Sequence, residues 1–315
     1  MTWATQKERG NGALARAAIW LARRGGWSLG RVLTLPATAW FLLTSGAARD
    51  ASRDYLGRAL GRPAGLRDIA RHFDSFACAV LDRVLLLSGD DYVLETEELE
   101  TLLAAVQEGR GCILLGAHLG SFEVLRSLAA ASPVPVWALM YRRNAGALTA
   151  LLDRLAPRLR EQVIEIGDTA SMIQARECIE RGEIVGVLAD RSPPGHRQVA
   201  ASFFGAMAPF PSGPFVLAAT LGAPVFLFYG VRVGRRRYRI GIEKFAERVE
   251  LRRASRAADL RYYVQAYANA LERICRRYPL EWFNFFPFWE NSDARPGSAQ
   301  SDPAAGPVLA GPGPR

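Results

Sequence analysis

The residue with the clearest chemical promise is His118, which closes the apolar run Cys112 to Ala117 and is followed five residues later by Glu123. Imidazole titrates near neutral pH. A ring oriented by a carboxylate can therefore take the proton of a hydroxyl as that hydroxyl attacks an acyl carbonyl. Within one regular helix, residues five apart point about 140° away from each other, so His118 and Glu123 could not share a face there. They can meet if His118 lies in the turn after a strand, Gly120 makes the bend and Glu123 sits in the first turn of the next helix. Such spacing is common by chance, and context is what singles out His118. The other two of the 3 histidines, His72 and His196, have no acid five positions on and follow no strand-like run. A structural histidine capping a strand is the alternative reading of these residues.

The elements that must position this pair follow from hydrophobic period. Beyond residue 95, short apolar runs alternate with helical patterns. The strand-like runs are Cys112 to Ala117, Val134 to Met140, Val163 to Ile166, Ile184 to Leu188 and Pro224 to Val231, with a further strand from Tyr238 to Glu247. Helices are expected around 97 to 108, 121 to 130, 145 to 156, 169 to 181, 212 to 221 and 257 to 277. This alternation predicts an α/β fold with a largely parallel central sheet flanked by helices. Ligands of such sheets bind beyond the carboxyl ends of the strands, and His118, Arg142 and Asp190 each fall just after one.

The first 92 residues read differently. Residues 13 to 24 form a helix with a basic face, and Val32 to Leu43 is an apolar, Trp-bearing run interrupted by Pro36. Spanning a bilayer takes about 20 apolar residues, so this run is too short to cross. A basic helix beside an aromatic, apolar segment suits a protein lying in the membrane interface; two buried core helices would have the same composition. Leu66 to Leu87 carries apolar residues at three- and four-residue spacing and is expected to pack on the core, ending at Asp90-Asp91. The expected organisation is an N-terminal helical, membrane-associating region (1–92), an α/β core (93–290) and a disordered tail (291–315) rich in Pro, Gly, Ala and Ser.

Composition narrows the partners. A formal charge of +9 in 315 residues favours acidic ones. Lys7 and Lys244 are the only lysines, so arginine carries the charge. Selection for phosphate binding and genomic base composition both explain that bias. The run Arg235-Arg236-Arg237-Tyr238-Arg239 is a local positive patch. Nucleic acid is not expected there, because no recognition motif or stacking pattern accompanies it. The 4 cysteines are far apart and form no C-x-x-C pair, which argues against disulfides and zinc and for a reducing compartment. The N-terminus carries no secretory pattern, placing the protein on the cytoplasmic side.

The phrase Gly116-Ala117-His118-Leu119-Gly120-Ser121-Phe122-Glu123 resembles the H-x-x-x-x-D/E block of the lysophospholipid acyltransferase superfamily, in its late lipid A acyltransferase branch. Later segments fit in the same order: Tyr141-Arg142-Arg143-Asn144, Leu188-Ala189-Asp190-Arg191, Phe203-Phe204-Gly205 with Pro211-Ser212-Gly213-Pro214, and Gly222-Ala223-Pro224-Val225. The likeness covers about residues 15 to 290. The aromatic stretch Trp282 to Trp289 is more similar to branch members of polyketide-like or aryl-polyene lipid pathways, so lipid A is one acceptor among several.

This resemblance implies a membrane-associated O-acyltransferase. It moves a fatty acyl group from an acyl thioester, acyl carrier protein or coenzyme A, to a hydroxyl of a lipid or glycolipid, with no metal or other cofactor. His118 is the general base and Glu123 its orienting acid. Arg142, supported by Arg143, holds a phosphate of the donor arm or of the acceptor; a solvated arginine pair is the plain alternative. Asp190 positions the acceptor or ties down Arg142, unless it merely caps a helix. Phe203, Phe204 and Gly205 line an acyl or acceptor channel, unless they form an ordinary edge strand. The basic run docks acyl carrier protein or anionic lipid, on the cytoplasmic face of the bacterial inner membrane. A thioesterase or lipase using water is the first alternative activity, although no Gly-x-Ser-x-Gly elbow is present. A non-catalytic lipid-binding protein, indifferent to His118, is the second.

Overall fold

The structure is a computed structural model that describes residues 12–124, 134–140, 162–166, 169–192 and 195–289. Nine strands follow in chain order among these residues: β1 (Val93–Glu97), β2 (Cys112–Gly116), β3 (Val136–Met140), β4 (Val163–Glu165), β5 (Ile184–Leu188), β6 (Gln198–Phe203), β7 (Ala206–Pro211), β8 (Val225–Gly234) and β9 (Arg237–Ala246). Seven of them make one sheet, ordered β1-β9-β8-β2-β5-β3-β4. Every neighbouring pair in it is parallel except β8 with β9. The largely parallel sheet expected from the alternating pattern is therefore present.

Central position explains the composition of β2. All five of its residues are buried, as parallel strands covered on both faces require. Its side chains alternate between two cores. Ile113 and Leu115 join Val185, Val187, Leu227 and Tyr229 on one face, while Cys112 and Leu114 join Ile184, Phe226 and Phe228 on the other.

The first face is covered by α2 (Gly46–Leu60), α3 (Leu66–Leu87) and the long C-terminal helix, here α7 (Arg256–Arg277). These helices contribute Tyr55, Leu56, Ile69, Phe73, Ala268 and Leu271 to that core. The second face is covered by α4 (Leu99–Gln107) through Leu102 and Ala105. Helices α5 (Thr169–Glu180) and α6 (Gly213–Leu221) complete the described set, with α1 (Gly12–Thr44) at the N-terminus. All four cysteines are free and buried, and burial raises the thiol pKa of each. They are core residues rather than nucleophiles.

Several expectations change. The N-terminal helix breaks at Gly26, with φ +66°, and not at Pro36, which lies inside the helix. Glycine reaches that dihedral without a Cβ clash, whereas Pro36 sits inside the helix on an exposed stretch. Helix α2 was not anticipated; α3 spans Leu66–Leu87 as expected, with Gly89, φ +92°, following its end ahead of the aspartates. Strand β1 was not anticipated, and the helix expected from 97 begins at Leu99. Glu95 of β1 is opposite Arg239 across the parallel pair with β9, and charge pairing rather than apolar alternation holds this edge.

The pair β6–β7 is a separate antiparallel hairpin. Its two-residue turn is Phe204-Gly205, with φ of 52° and 76°. Positive φ at both positions is the turn geometry that matches strand twist. Phe204 pays for none of this with exposure: Phe203 is fully buried and Phe204 is 7 % exposed.

Candidate active site

Register builds the site. In the parallel pair β2–β5, Gly116 is opposite Leu188, so the two strands end together and their following loops run side by side. His118 and Asp190, each two residues past a strand end, are thereby brought into contact. Asp190 is fully buried. Its Oδ2 accepts the backbone N–H of His118 at 3.1 Å, and its Oδ1 bonds ring Nδ1 at 2.8 Å. A third donor, the indole N–H of Trp282, reaches Oδ2 at 3.1 Å.

The loop carrying His118 is clamped from two sides. The amide of Gly120 donates to Glu281 O, that of Ser121 to Gly230 O, and that of Phe283 to His118 O. Gly120 has φ +66°, and a Cβ there would stand 1.9 Å from the carbonyl oxygen of Gly230. Glycine is thus required both for the bend and for the close approach of β8. The anticipated roles of His118 as strand-end residue and of Gly120 as bend describe the geometry.

Glu123 does not orient the ring. It lies in the helical turn Phe122–Val124, where Arg83 of α3 holds it in an ion pair of 2.6 Å and the Ser121 hydroxyl donates to it at 3.2 Å. Asp190 takes the place reserved for it, because strand register outweighs proximity in the chain. Asp190 in turn neither faces an acceptor nor caps a helix, since three donors and complete burial occupy it. The expected channel residues also have another job. Phe203, Phe204 and Gly205 form the tip of the hairpin, and Phe203 packs edge-on against Trp282 and Phe210. The amide of Phe204 donates to Glu272, and Arg276 stacks over its ring. Arg142 and Arg143 lie outside the described residues.

Electrostatics set the states of the pair. Burial alone would raise the Asp190 carboxyl, but His118 and Arg191 outweigh it and hold the group below the usual carboxylate range. The ionised carboxylate fixes the proton of neutral His118 on Nδ1. Nε2 then carries the lone pair, and it has no hydrogen-bond partner among the described residues. The side chain keeps 38 % of its surface open. Enclosure by the surrounding protein, helped by Arg191, lowers the imidazole pKa against the opposing pull of Asp190. A ring that is neutral at pH 7, with one nitrogen tethered and the other accessible, is equipped to accept a proton.

Residues 69–291 match the family described as bacterial lipid A biosynthesis acyltransferase. The chain belongs to this family. Among curated proteins none matches it. The match spans the described residues of the candidate site, from Arg83 to Phe283, and the family supports acyl transfer to a lipid acceptor.

Sequence reasoning missed three parts of this candidate site. Trp282 belongs to an aromatic run that was visible but had no assigned role. Arg191, whose guanidinium donates to Phe283 O, lies next to Asp190 and was read only as part of a motif. His72 was set aside, yet it is fully buried and bonds the Trp282 carbonyl at 2.9 Å through Nε2. Among the described residues, no group of three or more His, Cys, Asp or Glu side chains is arranged to hold a metal ion.

The arginine run expected to dock a partner is largely neutralised. Arg236 pairs with Asp90, Arg237 and Arg239 with Glu95, and Arg239 also with Glu97. Arg235 lies over the Trp27 ring and donates to Ser28. These side chains fasten β9 to β1 and to the N-terminal helix, so the run is not a free positive patch.

Proposed function

We propose that this protein is an O-acyltransferase (EC 2.3.1 type) that moves a fatty acyl group from an acyl thioester to a hydroxyl of a lipid or glycolipid. The observation that carries the reading is the 2.8 Å bond between His118 Nδ1 and buried Asp190, beside a ring still open at its surface, in a chain of this family. Nε2 takes the acceptor's hydroxyl proton as its oxygen attacks the thioester carbonyl carbon. The tetrahedral centre then collapses, the C–S bond breaks, and the thiolate sulfur recovers the proton from the imidazolium. One ester and one free thiol result, with His118 back in its starting state and no covalent acyl-enzyme. Asp190 stabilises the transient imidazolium without itself taking the proton.

Acyl carrier protein is our proposed donor and an acidic partner of this arginine-rich chain, with coenzyme A as the alternative carrier. Arg142 and Arg143 keep their proposed role of holding a phosphate of donor or acceptor. No further cofactor is required by this chemistry.

We place the protein at the cytoplasmic face of the inner membrane, lying in the interface. Support comes from the second part of α1, where Leu29, Val32, Leu35, Trp40 and Leu43 are all exposed. At 100° per residue these five fall within an arc of about 140°. No charged residue occurs from Val32 to Ala48. A continuous apolar stripe of this kind suits burial among lipid headgroups. Among the described residues, no helix is long and apolar enough to cross a membrane.

The test is incubation of purified protein with labelled acyl carrier protein and a membrane lipid extract. Label in an ester-linked lipid supports the reading. Release of free fatty acid with no labelled lipid contradicts it.

A further inference from the structure

The carboxylate behind His118 is itself held, and its holder lies about ninety residues further along the chain. We propose that Trp282 is a positioning residue for acyl transfer: its indole N–H pins Asp190 Oδ2, so that Oδ1 stays aimed at His118 Nδ1. The inference rests on His118 acting as the base, and it adds a residue to which that reading gives no part.

Four observations carry it. First, an indole nitrogen can only donate, so the direction of the 3.1 Å bond to Asp190 is fixed. Second, the ring is fully buried, with Tyr55, Phe203 and Phe288 packed edge-on at centroid distances of 4.8, 5.4 and 5.1 Å. Third, the backbone is anchored as well. The Trp282 carbonyl bonds His72 Nε2 at 2.9 Å, and His72 Nδ1 bonds the Ser52 hydroxyl at 2.8 Å. Carbonyl oxygen only accepts, so Nε2 carries the proton of His72 and its Nδ1 accepts from Ser52. Leu119 and Trp282 also form an antiparallel bridge. The segment that positions the carboxylate therefore also holds the loop that positions the base.

Fourth, the obvious competitor is out of range. Arg191 Nε stands 3.7 Å from Asp190 Oδ2 and has no hydrogen-bond partner. That separation exceeds a hydrogen bond, so the indole and not the guanidinium satisfies Oδ2 from the side. Among the described residues, the remaining titratable groups that act on Asp190 come from α7. They are Tyr267, whose hydroxyl donates to Gly116 O at 2.7 Å, and Cys275. Burial raises the pKa of both, so they stay neutral, and among the described residues the charges that act on Asp190 are those of Arg191 and, once protonated, His118.

Removing the indole proton leaves more of the carboxylate charge for the imidazolium, which must titrate at higher pH. The test compares wild-type protein with Trp282→Phe, and with full-length protein carrying 3-benzothienylalanine at position 282, which keeps the ring shape and lacks only the N–H. Nitrogen NMR of labelled histidine follows the His118 titration in the resting protein. In parallel, kcat and KM are measured across pH. The expected result in the benzothienyl protein is a His118 midpoint raised by about one pH unit. A fall of about tenfold in kcat, with donor KM little changed, accompanies it. A His118 midpoint that stays put or falls overturns the proposal, even if activity drops, because a merely structural Trp282 would lower activity without moving it. Should the midpoint rise in a protein that transfers no acyl group in its wild-type form, the contact stands and the reading of function fails.

Discussion

Both oxygens of Asp190 are committed to His118 and its support: Oδ1 to the ring nitrogen at 2.8 Å, Oδ2 to the His118 amide at 3.1 Å. One carboxylate thus fixes the position of the residue and the orientation of its ring. The acid nearest in the chain, Glu123, is engaged by Arg83 instead.

Exchange of the two acids separates their roles. Asp190→Asn keeps the shape but removes the charge that fixes the Nδ1–H form, and kcat should fall about a thousandfold or more. Glu123→Gln should cost under about tenfold in kcat, while leaving Arg83 without its counter-charge and lowering stability by about 1–3 kcal/mol. Steady-state kinetics and urea unfolding of both variants check this.

The acid limb of the pH–rate profile follows from the same pair. His118 works only when neutral, and enclosure plus Arg191 lower its pKa from the ordinary 6.5. The value of kcat/KM should be flat at pH 7 and fall with a midpoint below 6.5 as the ring becomes protonated. Measurement of kcat/KM from pH 5 to 8 checks it; a midpoint above 6.5 would contradict the described environment.

His72 makes stability depend on pH. Burial lowers its pKa to about 4, from 6.5 in the unfolded chain. Between these values the unfolded state binds the proton and the folded state does not. The stabilising effect is therefore present above pH 6.5 and is lost as pH falls towards 4, by up to about 3 kcal/mol. Urea midpoints of wild type and His72→Gln across this window should converge as pH drops.

The exposed stripe of α1 makes a separate prediction. Val32→Glu with Leu43→Glu places charge on two positions that are 60 % and 77 % exposed. Each change removes about 1.5–3 kcal/mol of interfacial burial, so partition onto anionic vesicles should weaken by at least about a hundredfold. Turnover on detergent-dispersed lipid should not change. Vesicle sedimentation alongside that assay checks both.

The fold was readable in the sequence where burial is two-sided. Cys112 to Ala117 and Ile184 to Leu188 are continuous apolar runs because both strands are interior, and their pattern needs no partner to be recognised. Edge strand β1 was not, since Glu95 and Glu97 draw their support from Arg237, Arg239 and Arg277, which are distant in the chain. The site divided in the same way. His118 stood out by its place after a strand. Its true partner depended on the register of β2 with β5, a relation between segments 72 residues apart that periodicity does not encode. Trp282 was hidden for the same reason: an aromatic run announces burial, and only the folded chain shows which indole proton meets which carboxylate.

The most direct test of the account is acyl transfer by His118→Ala, with labelled acyl carrier protein as donor and the labelled lipid identified from wild type as the product followed. Loss of the ring takes the donor from Asp190 Oδ1, so the variant should lose about 1–3 kcal/mol and still unfold cooperatively in urea. Its transfer rate should fall by about a hundredfold or more, as expected for loss of a general base. A folded His118→Ala protein that acylates the same lipid at the wild-type rate would contradict the account.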